Sequence, residues 1–124
     1  MKTILIVEDN EKNMKLARDI LRAKGYATLE AVNGLDGVRL ALEQVPDLVL
    51  MDIQLPDING IDAFERIRAN AATAKVPVVA FTASVTANDR SRIGDAGFDG
   101  FLGKPINLKE FVETVRRMLG EPQA

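Results

Sequence analysis

Apolar residues occur along this chain in two patterns that alternate. One is a short run with almost no polar interruption: Thr3–Val7, Leu48–Met51 and Pro77–Phe81. Runs of this length without alternation read as strands buried on both faces, as in a parallel sheet. Proline at the head of the third run is tolerated because a missing donor does least harm there. Tyr26–Ala31 reads as a more exposed strand and Asp99–Leu102 as a brief fifth one. The second pattern repeats at three and four residues, the period of a helix with one apolar face. Met14, Ala17 and Leu21 mark a helix over Glu11–Lys24, capped by Asn10 or Asp9 and stopped at Gly25. Leu35, Val38, Leu42 and Val45 mark a second, entered through Asn33–Gly34 and ended before Pro46. Ile61, Phe64 and Ile67 mark a third, from the Asn59–Gly60 turn to about Asn70, with a small polar loop from Asn70 to Lys75. Thr86–Ala96 has helical length but only Val85, Ile93 and Ala96 to offer a core, which predicts a weakly anchored helix closed at Gly97. The last helix, capped by Asn107, carries Leu108, Phe111, Val112, Val115 and Leu119 on one face, and Gly120–Ala124 is expected to fray.

Five strands alternating with five helices predict an α/β fold: a five-stranded parallel sheet wound on both sides. Right-handed crossovers and this size favour the flavodoxin-like (βα)5 order 2-1-3-4-5. No repeat, linker or low-complexity stretch interrupts the chain, so one domain is expected over residues 1–120, with a tail at 121–124 and no room for an output domain. Open sheets of this kind bind ligands at the carboxyl ends of their strands. The first strand delivers Glu8 and Asp9 to that rim, the third Asp52, the fourth Thr82, and the fifth leads to Lys104.

Composition narrows the chemistry at that rim. Of 124 residues, 47% are hydrophobic and 27% charged, the profile of an ordinary globular domain. A net charge of −2 gives no reason to expect nucleic acid, and no apolar run approaches the length needed to span a membrane. The amino terminus lacks the long apolar core of an export signal, so the expected compartment is the cytoplasm. There is no cysteine and no histidine. That excludes thiol chemistry, imidazole bases, Ser-His-Asp triads, histidine metal ligands and an internal phosphohistidine. Three clustered carboxylates must either take up a proton or hold a cation. Oxygen donors alone fit a hard ion, Mg²⁺ first, with Mn²⁺ or Ca²⁺ as substitutes. Mg²⁺ keeps room for phosphate oxygens, Lys104 is a point charge suited to one, and the Thr82 hydroxyl and Ala83 N–H are donors for others. Singly, each residue also has a plainer reading: Asp52 as a turn former, Glu8 and Asp9 as helix-start acids, Thr82 as a strand end, Lys104 as a solvated base, Phe101 as core.

Taken in order, Ile6–Asn10, Met51–Pro56, Asn59–Gly60, Thr82–Ala83 and Lys104–Pro105 resemble the receiver domain of two-component response regulators. The resemblance covers essentially the whole chain. Within the family, the helix start Asn10–Asn13 and the Asp52–Pro56 loop are most similar to single-domain receivers of the DivK kind. The resemblance implies that Asp52 is the phosphoacceptor and that Asp9 binds Mg²⁺ directly. Glu8 then acts on the ion through a water, and Gln54 lends it a backbone carbonyl. Thr82 becomes the switch hydroxyl, Lys104 the phosphate-binding lysine, Lys104–Pro105 a cis bond and Phe101 the switch aromatic. It implies a signalling domain rather than an enzyme, with at most self-catalysed phosphotransfer and dephosphorylation. The implied partners are a histidine kinase or histidine phosphotransfer protein, and a protein target met through the fourth helix, fifth strand and last helix. Many relatives have aspartate where this chain has Glu8, and tyrosine or another ring where it has Phe101. A switch built on Phe101 works by packing, because phenylalanine has no hydroxyl. Two other readings stay open. A phosphohydrolase using Asp52 as a transient nucleophile needs a second acid two residues on, where this chain has Gln54. A flavodoxin-like electron carrier needs a phosphate-cradling loop, where this chain has Glu8–Glu11.

Overall fold

The computed structural model describes residues 1–83 and 86–121. Strands β1 (Thr3–Val7), β2 (Ala27–Ala31), β3 (Leu48–Met51), β4 (Val78–Thr82) and β5 (Gly100–Gly103) alternate with helices α1 (Glu11–Ala23), α2 (Gly34–Gln44), α3 (Gly60–Ala69), α4 (Ala87–Ala96) and α5 (Leu108–Met118). Every strand pairing is parallel and the sheet order is β2-β1-β3-β4-β5, as the pattern predicts. Side chains on a strand alternate between faces, and both faces here are covered. Ile4, Ile6, Leu48, Leu50, Val79 and Phe81 meet Met14, Ala17 and Leu21 of α1 and Phe111 and Val115 of α5. Leu5, Val7, Val49, Met51 and Val78 turn the other way, toward Ala41, Ala63, Phe64 and Ile67 of α2 and α3. This is why the strands read as continuous apolar runs.

Each helix opens on a residue whose side chain accepts a backbone N–H from the first turn: Asn10, Asn33, Asn59, Thr86 and Asn107. The expected stripe of α1 is buried as predicted. Helix α2 is rotated from expectation. Its buried residues are Gly34, Gly37 and Ala41; Val38 packs beside them as expected, while Leu35 and Val45 are 49% and 45% exposed. A Cβ on Gly37 would lie 2.8 Å from Val7 Cγ2, so small residues are what let this helix settle against β1. Val45 caps the helix at φ 43, the residue before Pro46 being barred from continuing the helix. In α3, Ala63 is buried in the place expected for Ile61, which is half-buried. In α5 the apolar face begins at Phe111. Leu108 is the first helical residue, ahead of the turn that meets the sheet, and is 58% exposed.

Helix α4 is as thinly anchored as expected, with Ile93 its one buried residue. Val85, assigned to its core face, and Ser84 lie outside the described residues. So do residues 122–124, but Glu121 is tied down: it accepts from the Tyr26 hydroxyl, and its N–H donates to Arg116 O at 2.9 Å. At the amino end of β4 and β5, Arg68 donates to Ala74 O, Val76 O and Asp99 at 2.9, 2.7 and 2.7 Å. Asp99 also accepts the Val78 N–H, and Phe64, under the Arg68 guanidinium, stacks on Phe98. The Asn70–Lys75 stretch, expected as a plain polar loop, buries Thr73, whose hydroxyl donates to Ile67 O.

Candidate functional site

Two backbone hydrogen bonds carry the sheet one residue past the ends of β1 and β3. Glu8 N donates to Ala31 O at 2.9 Å, and Asp52 N donates to Val7 O at 3.0 Å. Glu8 and Asp52 thereby sit side by side, in the rows begun by Ile4 and Ile6 and by Leu48 and Leu50. Both are carboxylates deep in the rim: Glu8 is 0% exposed and Asp52 3%. Lys104 arrives the same way, its N–H donating to Thr82 O at 3.0 Å just past β5. The Lys104–Pro105 bond is cis. The Lys104 ammonium lies 2.5 Å from Glu8 Oε1 and 3.0 Å from Asp52 Oδ2, bridging the two. It also lies 4.9 Å from the centroid of the Phe81 ring, a face that attracts cations. Asp9 is exposed beside them, and one oxygen each of Glu8, Asp9 and Asp52 falls within 4.8 Å of the others.

The electrostatics follow from this crowding. Burial, helped by the neighbouring Asp52 carboxylate, pushes the Glu8 carboxyl up from 4.5 to about 7, with Lys104 opposing. Glu8 Oε2 is buried with no hydrogen-bond partner. A buried acceptor of that kind, beside two further carboxylates in a chain without histidine or cysteine, belongs to the donor set a hard divalent cation takes. The residues present therefore fit Mg²⁺.

The loop from Asp52 to Gly60 holds the Asp52 carboxylate in place. Gln54 N donates to Asp52 Oδ1 at 3.0 Å, and Gly60 N donates to Ile53 O at 2.9 Å. A Cβ on Gly60 would fall 2.2 Å from Asp52 O, so only glycine lets α3 begin against this loop. Thr82 ends β4 fully buried, and Ala83, which follows it, is exposed. Phe101 is half-buried on β5, with the Arg90 guanidinium 4.8 Å from its ring. The structure thus brings Glu8, Asp9, Asp52 and Lys104 together at one point. Gln54 and Thr82 are bound to the same loop and strand ends, and Phe101 stands apart on the α4 side. Sequence reasoning did not find Phe81 beneath the ammonium, the steric role of Gly60, or the Arg90–Phe101 stack. From the sequence alone, Phe81 is a strand residue and Gly60 a turn residue.

With that geometry in hand, the comparisons are direct. The response regulator receiver domain family matches residues 4–116, and the chain belongs to it. It is 42% identical over 120 residues to the polar-differentiation response regulator DivK of Brucella anthropi, and equally so to that of Brucella melitensis; the match covers 97% of this chain and 98% of each relative. Among solved structures, it is similar to the receiver domain of the sensor histidine kinase PA1611 from Pseudomonas aeruginosa, which holds a magnesium ion in its active site cleft. That similarity has a TM-score of 0.90 at 35% identity, over 97% of this chain and 98% of that one. A CheY-like receiver protein from Methanospirillum hungatei gives a TM-score of 0.89 at 25% identity, over 97% and 94%. This is a receiver domain of the response-regulator family, homologous to DivK, and a signalling domain in kind. Membership displaces the electron-carrier reading.

Proposed function

We propose that this receiver accepts a phosphoryl group on Asp52 from a phosphohistidine partner, with Mg²⁺ held at the acidic rim. The observation that carries the reading is the Lys104 ammonium lodged between two buried carboxylates, within reach of the oxygen that would bear phosphorus. Asp9 and Asp52 are assigned to the ion directly, Gln54 through its backbone carbonyl, and Glu8 through a water. When bound, the ion neutralises charge on the transferring group and on the attacking carboxylate. The chain's own residues do the rest. The Gln54 N–H holds Asp52 through Oδ1, which leaves Oδ2 against the Lys104 ammonium. Asp52 forms the new O–P bond as the P–N bond to the partner's imidazole breaks, and no base of this chain is needed. Lys104, the Thr82 hydroxyl and the Ala83 N–H are assigned to the phosphate oxygens. The same groups account for any self-catalysed transfer or loss of phosphate.

A histidine kinase or histidine phosphotransfer protein is the proposed donor, and the cytoplasm, where phosphohistidine is made from ATP, the proposed compartment. Recruitment of Thr82 to phosphate favours an inward Phe101, which remodels the face made by α4, β5 and α5. That face is where we place the protein target. The thin anchoring of α4 suits a segment whose populations shift at low cost. We assign no nucleic-acid role, since Lys109, Arg116 and Arg117 of α5 interleave with Glu110 and Glu113. The test is transfer from a radiolabelled phosphohistidine donor. Wild type should take label only with a divalent ion, and Asp52→Asn should take none. Equal labelling of the two would overturn the assignment.

A further inference from the structure

The loop that carries Asp52 and Gln54 is tied at its midpoint to a helix that has no part in the site. Asp57 reaches across to the start of α2 and accepts the Gly34 N–H on Oδ1 at 2.7 Å and the Leu35 N–H on Oδ2 at 2.8 Å. Both bonds are charge-assisted and sit at the positive end of an 11-residue helix. Ile58 lies so close that a Cβ on Gly34 would be 2.5 Å from its Cγ1. The remaining first-turn donors of α2 are met locally: the Asn33 side chain takes Asp36 N and the Asn33 carbonyl takes Gly37 N. Asp57 is therefore not needed to complete the usual cap; it supplies a second one from another segment. Elsewhere the loop is held near its ends, by the Gln54 N–H on Asp52, the Gly60 N–H on Ile53, and the Asp62 and Ala63 N–H groups on Asn59.

We infer that Asp57 is a positioning residue for the acceptor site, fastening the β3–α3 loop to α2 so that the Asp52 carboxylate and the Gln54 carbonyl keep a fixed relation to Glu8 and Asp9. This rests on the metal-binding reading of the rim given above. The Asp57 carboxylate meets none of the acidic cluster; its effect passes through five residues of backbone. Without it, residues 55–58 keep only the packing of Ile58 and the half-buried Leu55. The divalent site then loses the pre-set geometry of two of its oxygens. Groups hydrogen-bonded to a metal's ligands are worth about 10- to 100-fold in affinity; Asp57 acts through the loop and not on a ligand, so the bottom of that range, about tenfold, is expected here.

The experiment is titration of the full chain with Mn²⁺, and then Mg²⁺, by calorimetry in wild type, Asp57→Ala, Asp57→Asn and Asn33→Ala. Asn33→Ala is the control, because it removes a cap from the same helix turn without touching the loop. Thermal denaturation of metal-free protein gives each variant's loss of stability. Asp57→Ala should bind Mn²⁺ about tenfold more weakly than wild type. Asp57→Asn, with one acceptor oxygen in place of two, should fall between. Asn33→Ala should bind as wild type does despite a comparable drop in Tm. If Asp57→Ala and Asn33→Ala bind alike at matched stability, Asp57 is an ordinary cap and the inference is wrong. If wild type itself takes up neither ion, the reading of the rim fails first and this one with it.

Discussion

Replacing Glu8 with glutamine should change how stability depends on pH, and the structure sets both sign and size. In the folded protein the Glu8 carboxyl is raised from 4.5 to about 7, chiefly by burial and then by Asp52, against the pull of Lys104. In the unfolded chain it titrates near its ordinary value. The native state therefore holds this proton more tightly than the unfolded state does. Stability is highest below the unfolded value and falls as pH rises through the window from 4.5 to about 7. At about 1.4 kcal/mol per pH unit, the full swing is on the order of 3 kcal/mol. Glutamine has the same shape, cannot ionise, and still offers an oxygen to Lys104. The chain has no tryptophan and one tyrosine, so urea unfolding is best followed by far-ultraviolet circular dichroism, with a chelator present. Between about pH 4 and pH 8 the wild type should lose on the order of 3 kcal/mol relative to Glu8→Gln. Saturating Mg²⁺ should shrink that gap, because a cation rewards the ionised form. Parallel profiles for the two proteins in chelator would refute the reasoning.

Other perturbations test separate parts of the account. Gly60→Ala puts a Cβ 2.2 Å from Asp52 O and 2.7 Å from Ile53 Cα, contacts with backbone that cannot turn aside. It should cost about 1–3 kcal/mol in urea unfolding and weaken Mn²⁺ binding as well, because relief must come from moving the Asp52–Gly60 loop. Arg68→Ala strips donors from Ala74 O, Val76 O and Asp99 at the far end of the sheet. It should cost about 2–4 kcal/mol in the same assay while leaving Mn²⁺ affinity within error of wild type. A phosphoryl mimic such as beryllofluoride with Mg²⁺ should bury Phe101, read as a shift in ring-proton or fluorine resonances. An unchanged ring environment would remove Phe101 from the switch.

What could be read from the residues, and what could not, divides along physical lines. The strands were legible because a segment buried on both faces must be apolar throughout, as Leu48–Met51 is. Helix α2 is legible only in part: Val38 packs on the core as its spacing suggests, but the buried positions are Gly34, Gly37 and Ala41, and small residues carry little hydrophobic signal even when close approach depends on them. The rim was legible because the chain order of strand ends fixes which side chains share it, and Glu8, Asp9, Asp52 and Lys104 do share it. Which groups touch was not. The Lys104–Glu8 contact spans 96 residues of sequence and depends on the register of three strand pairs, β1 with β3, β3 with β4 and β4 with β5, while the Phe81 ring beneath it depends on the last of these. Asp57 carries no signal in the sequence because its partners, Gly34 and Leu35, lie in a helix reached only once the chain has folded.

The central claim concerns one oxygen–phosphorus bond. After transfer from a phosphohistidine donor in Mg²⁺, the labelled protein should be digested and the peptide carrying phosphate identified. The account predicts a single phosphoryl group on the peptide containing Asp52, released by hydroxylamine as an acyl phosphate must be, and absent when chelator replaces the ion. Label that resists hydroxylamine, or that lies on a serine or threonine peptide, would contradict it.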